Sequence, residues 1–185
     1  MIYNFLINQL VSDRFEKKMI LFFIFFKSKI MSEQLLNNWK TYIDEPDFQI
    51  LRKFVDCLVS DETFEHDGKK IVCFKGCNGK TTLVNEIINL IGVDNVLNCP
   101  LNISRIDTRD YKLIVCQEYI PTYNGTLKQL SSNDNLWGRN GSVYVNKANI
   151  LYVTNCDDDI SLHPRTVTIN FNHTFNVSTT RENVC

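Results

Sequence analysis

The stretch IVCFKGCNGKTTLVNEII, residues 71–88, decides the fold of this chain. It begins with a short apolar run, tightens around Gly76 and Gly79, and continues with apolar residues at helical spacing. A short apolar run beside turn residues is typical of a buried strand. The later spacing predicts a helix over residues 80–91, with Gly92 as its stop. A strand, a glycine turn and a helix are therefore expected in that order.

These three pieces can form a phosphate cradle. Backbone N–H groups and the helix N-terminus face the anion, a lysine reaches the outer phosphates, and a threonine hydroxyl can bind Mg²⁺. In the pattern G-x-x-x-x-G-K-[ST], Lys80 and Thr81 match the end, whereas Phe74 stands at the first glycine. The alternative is a lysine beside a turn, and the flanking strand and helix favour the phosphate. The predicted ATP-binding residues are Gly76, Cys77, Asn78, Gly79, Lys80, Thr81 and Thr82.

Further apolar runs predict the rest of a sheet. Strands are expected at residues 69–74, 95–99, 112–117, 149–154 and 165–171. A helix after the first strand, followed by near-continuous apolar runs, favours a mainly parallel sheet covered on both faces. The predicted fold class is therefore α/β.

Two polar residues stand where predicted strands end. Glu118 follows one strand, where a carboxylate can organise Mg²⁺ and activate an attacking water. Asn155 follows another, where an amide can orient water beside a γ-phosphate, because ligands of open α/β sheets bind at the carboxyl ends of strands. Taken alone, Glu118 fits a surface carboxylate equally well, and Asn155 fits a turn residue.

Length and composition limit the classes of protein. With 185 residues the chain can form one domain with a substantial core but not two of ordinary size. Its net charge is −1, so a nucleic acid would have to contact a local basic patch. The seven cysteines have no C-x-x-C pair and no zinc-finger spacing with histidine, which predicts reduced thiols and no structural metal.

The first residues differ from the rest. The run MILFFIFF, residues 19–26, is shorter than the roughly 20 residues needed to span a bilayer, so no stable membrane insertion is expected. Its charged flanks argue against a secretory signal, and the protein is not expected to be secreted. A membrane-surface anchor is one interpretation, since lysines flank the run. The simpler one is a peripheral or untranslated extension over residues 1–30.

The remaining boundaries follow from changes in pattern. Residues 31–68 show apolar positions at helical spacing and predict two helices broken near Pro46. Residues 69–171 form the predicted P-loop domain, and residues 172–185, rich in Asn and Thr, form a loose tail.

Together these segments resemble the superfamily-three helicases, the hexameric ATPases of DNA viruses and of some plasmids and phages. GCNGKTT (76–82) is similar to their Walker A motif in the form of the poxvirus-type primase-helicases, and LIVCQE (113–118) to Walker B. NILYVTN (149–155) is similar to motif C, with Asn155 as sensor. LKQLSSNDNLWGRNGSVYVNKANI (127–150) resembles motif B-prime, and HPRTVTINF (163–171) resembles the closing segment of the family.

This resemblance, over residues 69–171, implies an AAA-like parallel sheet flanked by helices with a small N-terminal helical extension. It also implies ATP hydrolysis with Mg²⁺, a homo-oligomeric ring expected to be a hexamer, and movement on single-stranded DNA. The implied catalytic residues are Lys80, Glu118, Asn155 and Arg165, and the implied metal ligands are Thr81 and Glu118. Arg165 would be a finger that reaches the nucleotide of a neighbouring subunit.

The same resemblance implies DNA contact by Lys128, Arg139 and Lys147. Nearby aromatic rings, among them Trp137 and Tyr144, could stack on bases. Considered alone, Trp137 fits a core anchor and Arg165 a solvent-exposed arginine.

The sequence thus predicts a Mg²⁺-dependent ATPase, a DNA helicase of viral or mobile-element replication, in the cytoplasm or at a viral replication site. Two alternatives stay open. Phe74 at the position of a glycine favours a ring subunit that binds ATP without hydrolysing it. A small P-loop kinase would phosphorylate an acceptor without needing DNA.

Overall fold

The computed structural model describes residues 2–76, 78–98, 107–117, 124–138, 141–155 and 164–171. The helices within these ranges are α1 (Ile2–Trp39), α2 (Glu45–Ser60), α3 (Lys80–Ile91) and α4 (Asn124–Ser131). The strands are β1 (Ile71–Gly76), β2 (Val96–Asn98), β3 (Leu113–Gln117), β4 (Leu136–Trp137), β5 (Val143–Tyr144), β6 (Asn149–Thr154) and β7 (Thr166–Phe171).

Five strands form a parallel sheet in the order β2-β3-β6-β1-β7. Strand β1 lies between β6 and β7, and β6 separates it from β3. Because the strands all run the same way, their last residues lie along one side of the sheet, here called the carboxyl edge, and their first residues lie along the amino edge. The predicted α/β class, a parallel sheet flanked by helices, is confirmed.

Side chains alternate across β1 and build a core on each face of the sheet. Val72 and Phe74 pack in one core with α1, α2 and α3, whereas Ile71 and Cys73 pack in the other with α4 and the β4–β5 hairpin. Each fully buried side chain of this kind contributes roughly 1.5–3 kcal/mol to folding. Both faces of the sheet are therefore covered, as its apolar strands require.

Helix α2 begins and ends for local reasons. Pro46 lies in its first turn, where a missing N–H costs nothing, and the acidic residues Glu45 and Asp47 lie beside it. Asp61 closes the helix in the left-handed conformation, with φ of 60°. The apolar face is fully or almost fully buried and comprises Phe48, Leu51, Phe54, Val55, Cys57 and Leu58.

Helix α1 is 38 residues long and continues through position 31, so no helix end marks the predicted boundary there. Its last turns are buried through Leu35, Leu36 and Trp39. Earlier apolar side chains, such as Phe22 and Phe23, are exposed. Among the described helices, none has the length and apolar character needed to cross a membrane.

Several predicted bounds differ from the structure. Strands β2, β3 and β7 each begin one residue later than predicted, and two further differences have a structural cause. The first strand was expected at residues 69–74 but is Ile71–Gly76, because its last residues pair with β7, up to Gly76 beside Phe171. The first helix of the N-terminal pattern ends at Trp39, and Ile43 is buried in the link to α2 rather than in a helix.

The buried Asn149 joins the segment before β1 to the amino edge. Its Oδ1 accepts a hydrogen bond of 2.6 Å from the backbone N–H of Phe64. Its Nδ2 donates to the carbonyl oxygen of Glu62 at 3.0 Å. This amide therefore satisfies two backbone groups that the sheet leaves unpaired.

Candidate functional site

The loop after β1 is short and is shaped by glycine at both ends. Gly76 ends the strand with φ of +126°, and Gly79 caps α3 with φ of +87°. A Cβ on Gly76 would collide with the carbonyl oxygen of Phe171 on the neighbouring strand. Gly76 is therefore required both by its backbone conformation and by the close approach of β7.

Phe74 lies inside β1 and not in the loop. Its side chain is fully buried, and its ring centroid is 5.2 Å from that of Phe171. Phe74 thus occupies a strand position, where a large apolar side chain packs well. The sequence suggested a ring subunit that binds ATP without hydrolysing it because the motif places Phe74 within the phosphate loop. Since Phe74 lies in the strand instead, that reason does not apply.

Lys80 is the first residue of α3 and is only 4% exposed. Its Nζ donates a hydrogen bond to the carbonyl oxygen of Gly76, across the loop. The backbone N–H of Leu83 donates to the carbonyl of Gly79 at 3.0 Å, which begins the helix at this point. The ammonium group is therefore held within the loop, beside the N-terminus of α3, where an anion is stabilised.

A small cavity of about 90 Å³ lies between this loop and the carboxyl edge. Lys80 and Thr81 line it on one side, and Asn155, directly after β6, lines it on the other. The cavity is completed by Val84, Gln117, Val153 and Thr154. The structure thus brings three of the predicted site residues together at the ends of different elements.

Of the other predicted site residues, three are described and two are not. Asn78 and Thr82 are exposed beside the loop, and Thr81 is exposed at the start of α3. Cys77 and Glu118 lie outside the described residues. Gln117, which precedes Glu118, was not predicted as a site residue although it lines the cavity, because an amide at the end of a strand carries little signal in a sequence.

The described residues contain no group of three or more His, Cys, Asp or Glu side chains that could hold a metal alone. A hydroxyl such as that of Thr81, at the end of a phosphate loop, suits Mg²⁺ that is bound mainly by phosphate oxygens. The donors at this position therefore fit magnesium delivered with a nucleotide.

Arg165 lies at the amino edge, opposite the phosphate loop. It precedes β7, and its carbonyl oxygen accepts a hydrogen bond of 3.0 Å from the N–H of Ile71 at the start of β1. Its Nη1 donates to the carbonyl of Lys128 at 3.1 Å. Arg165 is thus separated from Lys80 by the length of β1 and is not part of the cavity in its own chain.

Two of the predicted DNA-contact residues, Lys128 and Lys147, are also near this edge. Lys128 is exposed on α4, and Lys147 is exposed just before β6, with its carbonyl bonded to the hydroxyl of Thr63 at 3.2 Å. Arg139 lies outside the described residues.

The hairpin of β4 and β5 carries two aromatic rings with different surroundings. Trp137 is 74% exposed, so its interpretation as a core anchor is wrong. Tyr144 is half-buried: its hydroxyl accepts a hydrogen bond from the N–H of Thr108, and its ring lies under the guanidinium of Arg109 at 5.1 Å. The hydrogen bond from Arg109 to Asp107 raises the pKa of the arginine.

A second, larger pocket was not predicted. It has a volume of about 720 Å³ and lies between the end of α1 and the outer face of α3. Its lining residues are Asn38, Trp39, Tyr42, Asn78, Gly79, Thr82 and Glu86. The sequence predicted α1 and α3 separately, but their packing against each other depends on tertiary contacts that no local pattern reports.

The fold is similar to that of several solved structures. The C-terminal region of NrS-1 superposes with a TM-score of 0.53 at 17% identity, over 77% of this chain and 37% of that one. JCV helicase with a bound inhibitor superposes with a TM-score of 0.53 at 18% identity, over 78% of this chain and 45% of that one. This chain therefore shares its fold with these two solved structures.

The shared fold confirms, at the level of the fold, the resemblance inferred from the motifs. The chain spans less than half the length of either solved chain. The sequence matches no protein-family profile and no curated protein.

Proposed function

We propose that the chain is a Mg²⁺-dependent ATPase that acts as a DNA helicase in viral or mobile-element replication, in the cytoplasm or at a viral replication site. The observation that carries the proposal is the cavity shared by Lys80, Thr81 and Asn155. A buried ammonium, a hydroxyl and an amide meet there at the N-terminus of α3. These are the groups needed to hold a nucleotide triphosphate and to position a water beside it.

Each residue has a distinct role in this proposal. The loop N–H groups and Lys80 bind the β- and γ-phosphates, and Lys80 exchanges its bond to Gly76 for phosphate oxygens. Asn155 orients the attacking water, and Glu118 accepts its proton. Thr81 and Glu118 would hold Mg²⁺, which when bound neutralises charge on the phosphates.

The opposite placement of Lys80 and Arg165 supports an oligomer. Since Arg165 lies at the amino edge, it does not reach the nucleotide of its own chain. A ring, hexameric in the proposal, lets Arg165 meet the phosphates bound by a neighbour, where its planar fork stabilises transition-state charge.

Single-stranded DNA is the proposed substrate of the motor. The exposed ring of Trp137 offers a stacking surface, and the exposed Lys128 and Lys147 offer charge for the backbone. The overall charge of −1 confines such contact to local groups.

The test is an ATPase assay with and without single-stranded DNA, on protein whose oligomeric mass is measured in the same buffer. We expect hydrolysis that DNA stimulates and that Lys80→Ala abolishes. Full DNA-stimulated activity of Lys80→Ala would refute the assignment. Binding of ATP by an oligomer without hydrolysis would establish the regulatory ring subunit instead, and phosphorylation of an added acceptor without DNA would establish a kinase.

A further inference from the structure

The N-terminus of α3 separates two pockets of different character. Lys80, Thr81 and Val84 face the small cavity at the carboxyl edge. Gly79, Thr82 and Glu86, which follow one another at helical spacing, face the larger pocket beside α1. A ligand whose phosphates bind at the start of α3 therefore has a second site within reach on the other side of the same helix.

The larger pocket has the size and lining of a site for an aromatic ring system. Its volume of about 720 Å³ falls in the range of pockets for small molecules. Tyr42, 38% exposed, presents its ring at this pocket, and Trp39 beneath it is 5% exposed. The two rings contact each other at a centroid distance of 6.0 Å. Trp39 in turn packs on Phe171, so this aromatic wall is supported by the sheet.

Charge distinguishes the two pockets. Of the described residues that line the larger pocket, none is basic, and Glu86 is acidic. Oε2 of Glu86 accepts a hydrogen bond of 2.8 Å from the indole N–H of Trp39, which fixes the carboxylate against the wall of the pocket. A carboxylate repels phosphate but accepts hydrogen bonds from amino and N–H groups.

We propose that this pocket binds the base and ribose of a purine nucleotide, with Tyr42 stacking on the base and Glu86 accepting a hydrogen bond from its exocyclic amine. The inference rests on the proposed function, because the phosphates of the same nucleotide occupy the loop at Lys80. The lysine side attracts the phosphates and the carboxylate side excludes them, so the nucleotide binds in one direction only.

The test compares ATP with inorganic tripolyphosphate, which has the phosphates but no base, by calorimetric titration. Tyr42→Ala is expected to weaken ATP binding about tenfold, the typical effect of losing one stacking ring, and to leave tripolyphosphate binding unchanged. Tyr42→Phe keeps the stacking ring and is expected to bind ATP as tightly as the unaltered protein. The matched control is Tyr111→Ala, just before β3 at the amino edge, which should bind both ligands as the unaltered protein does.

A second measurement tests the exocyclic amine. ITP lacks that amine and should bind more weakly than ATP, and Glu86→Gln should reduce the difference between the two. Equal affinities for ATP and ITP would overturn the role of Glu86.

The outcomes separate this inference from the proposed function. If Lys80→Ala abolishes binding of both ATP and tripolyphosphate but Tyr42→Ala changes neither, the base pocket is refuted and the phosphate site stands. Equal weakening of both ligands by Tyr42→Ala would also refute the pocket, since it would indicate loss of structure. Tyr42-dependent binding of ATP without any hydrolysis would support the pocket and refute the ATPase.

Discussion

Nε1 of Trp39 donates a hydrogen bond of 2.8 Å to Oε2 of Glu86, which joins the last turn of α1 to the middle of α3. The indole is almost fully buried, and it also packs edge-on against Phe171 of β7. One side chain thus holds the N-terminal helix on the helix that follows the phosphate loop.

Trp39→Phe is expected to lower the free energy of unfolding by about 1–3 kcal/mol, because Glu86 loses its donor and the smaller ring leaves a gap. Urea unfolding followed by circular dichroism measures this change. Trp137→Phe is the matched control, since Trp137 is exposed, and should stay within about 0.5 kcal/mol of the unaltered protein. Equal effects of the two substitutions would contradict the role given to Trp39.

Gly76→Ala is expected to destabilise the fold and weaken nucleotide binding. The positive φ alone costs an alanine about 1–3 kcal/mol, and its Cβ would also push β7 away at Phe171. Gly125→Ala in α4 is the control, because a Cβ there meets nothing within 4 Å. A melting temperature of Gly76→Ala as high as that of Gly125→Ala would show that the loop does not need this glycine.

Asn149→Ala is expected to cost about 1–3 kcal/mol in the free energy of unfolding, because the buried N–H of Phe64 loses its acceptor. Chemical denaturation measures the change. Asn89→Ala, on the exposed face of α3, should change stability by less than about 0.5 kcal/mol. If the two substitutions lowered the free energy of unfolding equally, the hydrogen bonds from Asn149 to residues 62–64 would not contribute to stability.

Alkaline pH should destabilise the protein through Cys73. Burial raises the pKa of this thiol from 9.0 to about 12, so the folded state keeps its proton where the unfolded chain loses it. The stability that this provides is complete below pH 9 and is lost as the pH rises from 9 towards 12. Denaturation at several pH values should show a steeper decline for the unaltered protein than for Cys73→Ala. Parallel declines would contradict the prediction.

Two inactive variants should restore each other. If Arg165 acts on a neighbour's nucleotide, Lys80→Ala and Arg165→Ala are each inactive, but a mixed ring contains interfaces with both groups intact. A one-to-one mixture should recover about a quarter of the normal ATPase rate, as random assembly through head-to-tail contacts predicts. Mixtures as inactive as either variant alone would place Arg165 outside the proposed neighbouring site.

The sequence predicted best what local pattern determines. Helix α3 and strand β6 have the predicted bounds, because a glycine stop and a short run rich in β-branched and aromatic residues are strong local signals. Strand β1 extends past its predicted end because β7 pairs with Lys75 and Gly76, and a distant partner leaves no mark near residue 76.

In the candidate site, too, features set by local sequence could be predicted and features set by tertiary packing could not. Lys80 and Asn155 could be placed together because each stands at a predictable end of an element. The meeting of Trp39 with Glu86, 47 residues away, depends on how α1 crosses α3. The motifs likewise predicted a role for Arg165 in ATP hydrolysis but could not predict where it lies. Its position at the amino edge, opposite the phosphate loop, follows only from the order of the strands in the sheet.

The pairing of Gly76 with Phe171 has a consequence for synthesis of the chain on the ribosome. Strand β1 has β6 and β7 as its two neighbours, and both are translated long after it. Contacts of such high sequence separation form slowly, and β1 has unpaired backbone on both sides until they do. In a nascent chain that ends before β7, the phosphate loop lacks its neighbouring strand and β1 is exposed to aggregation. We therefore expect that correct folding during translation depends on the synthesis of β7.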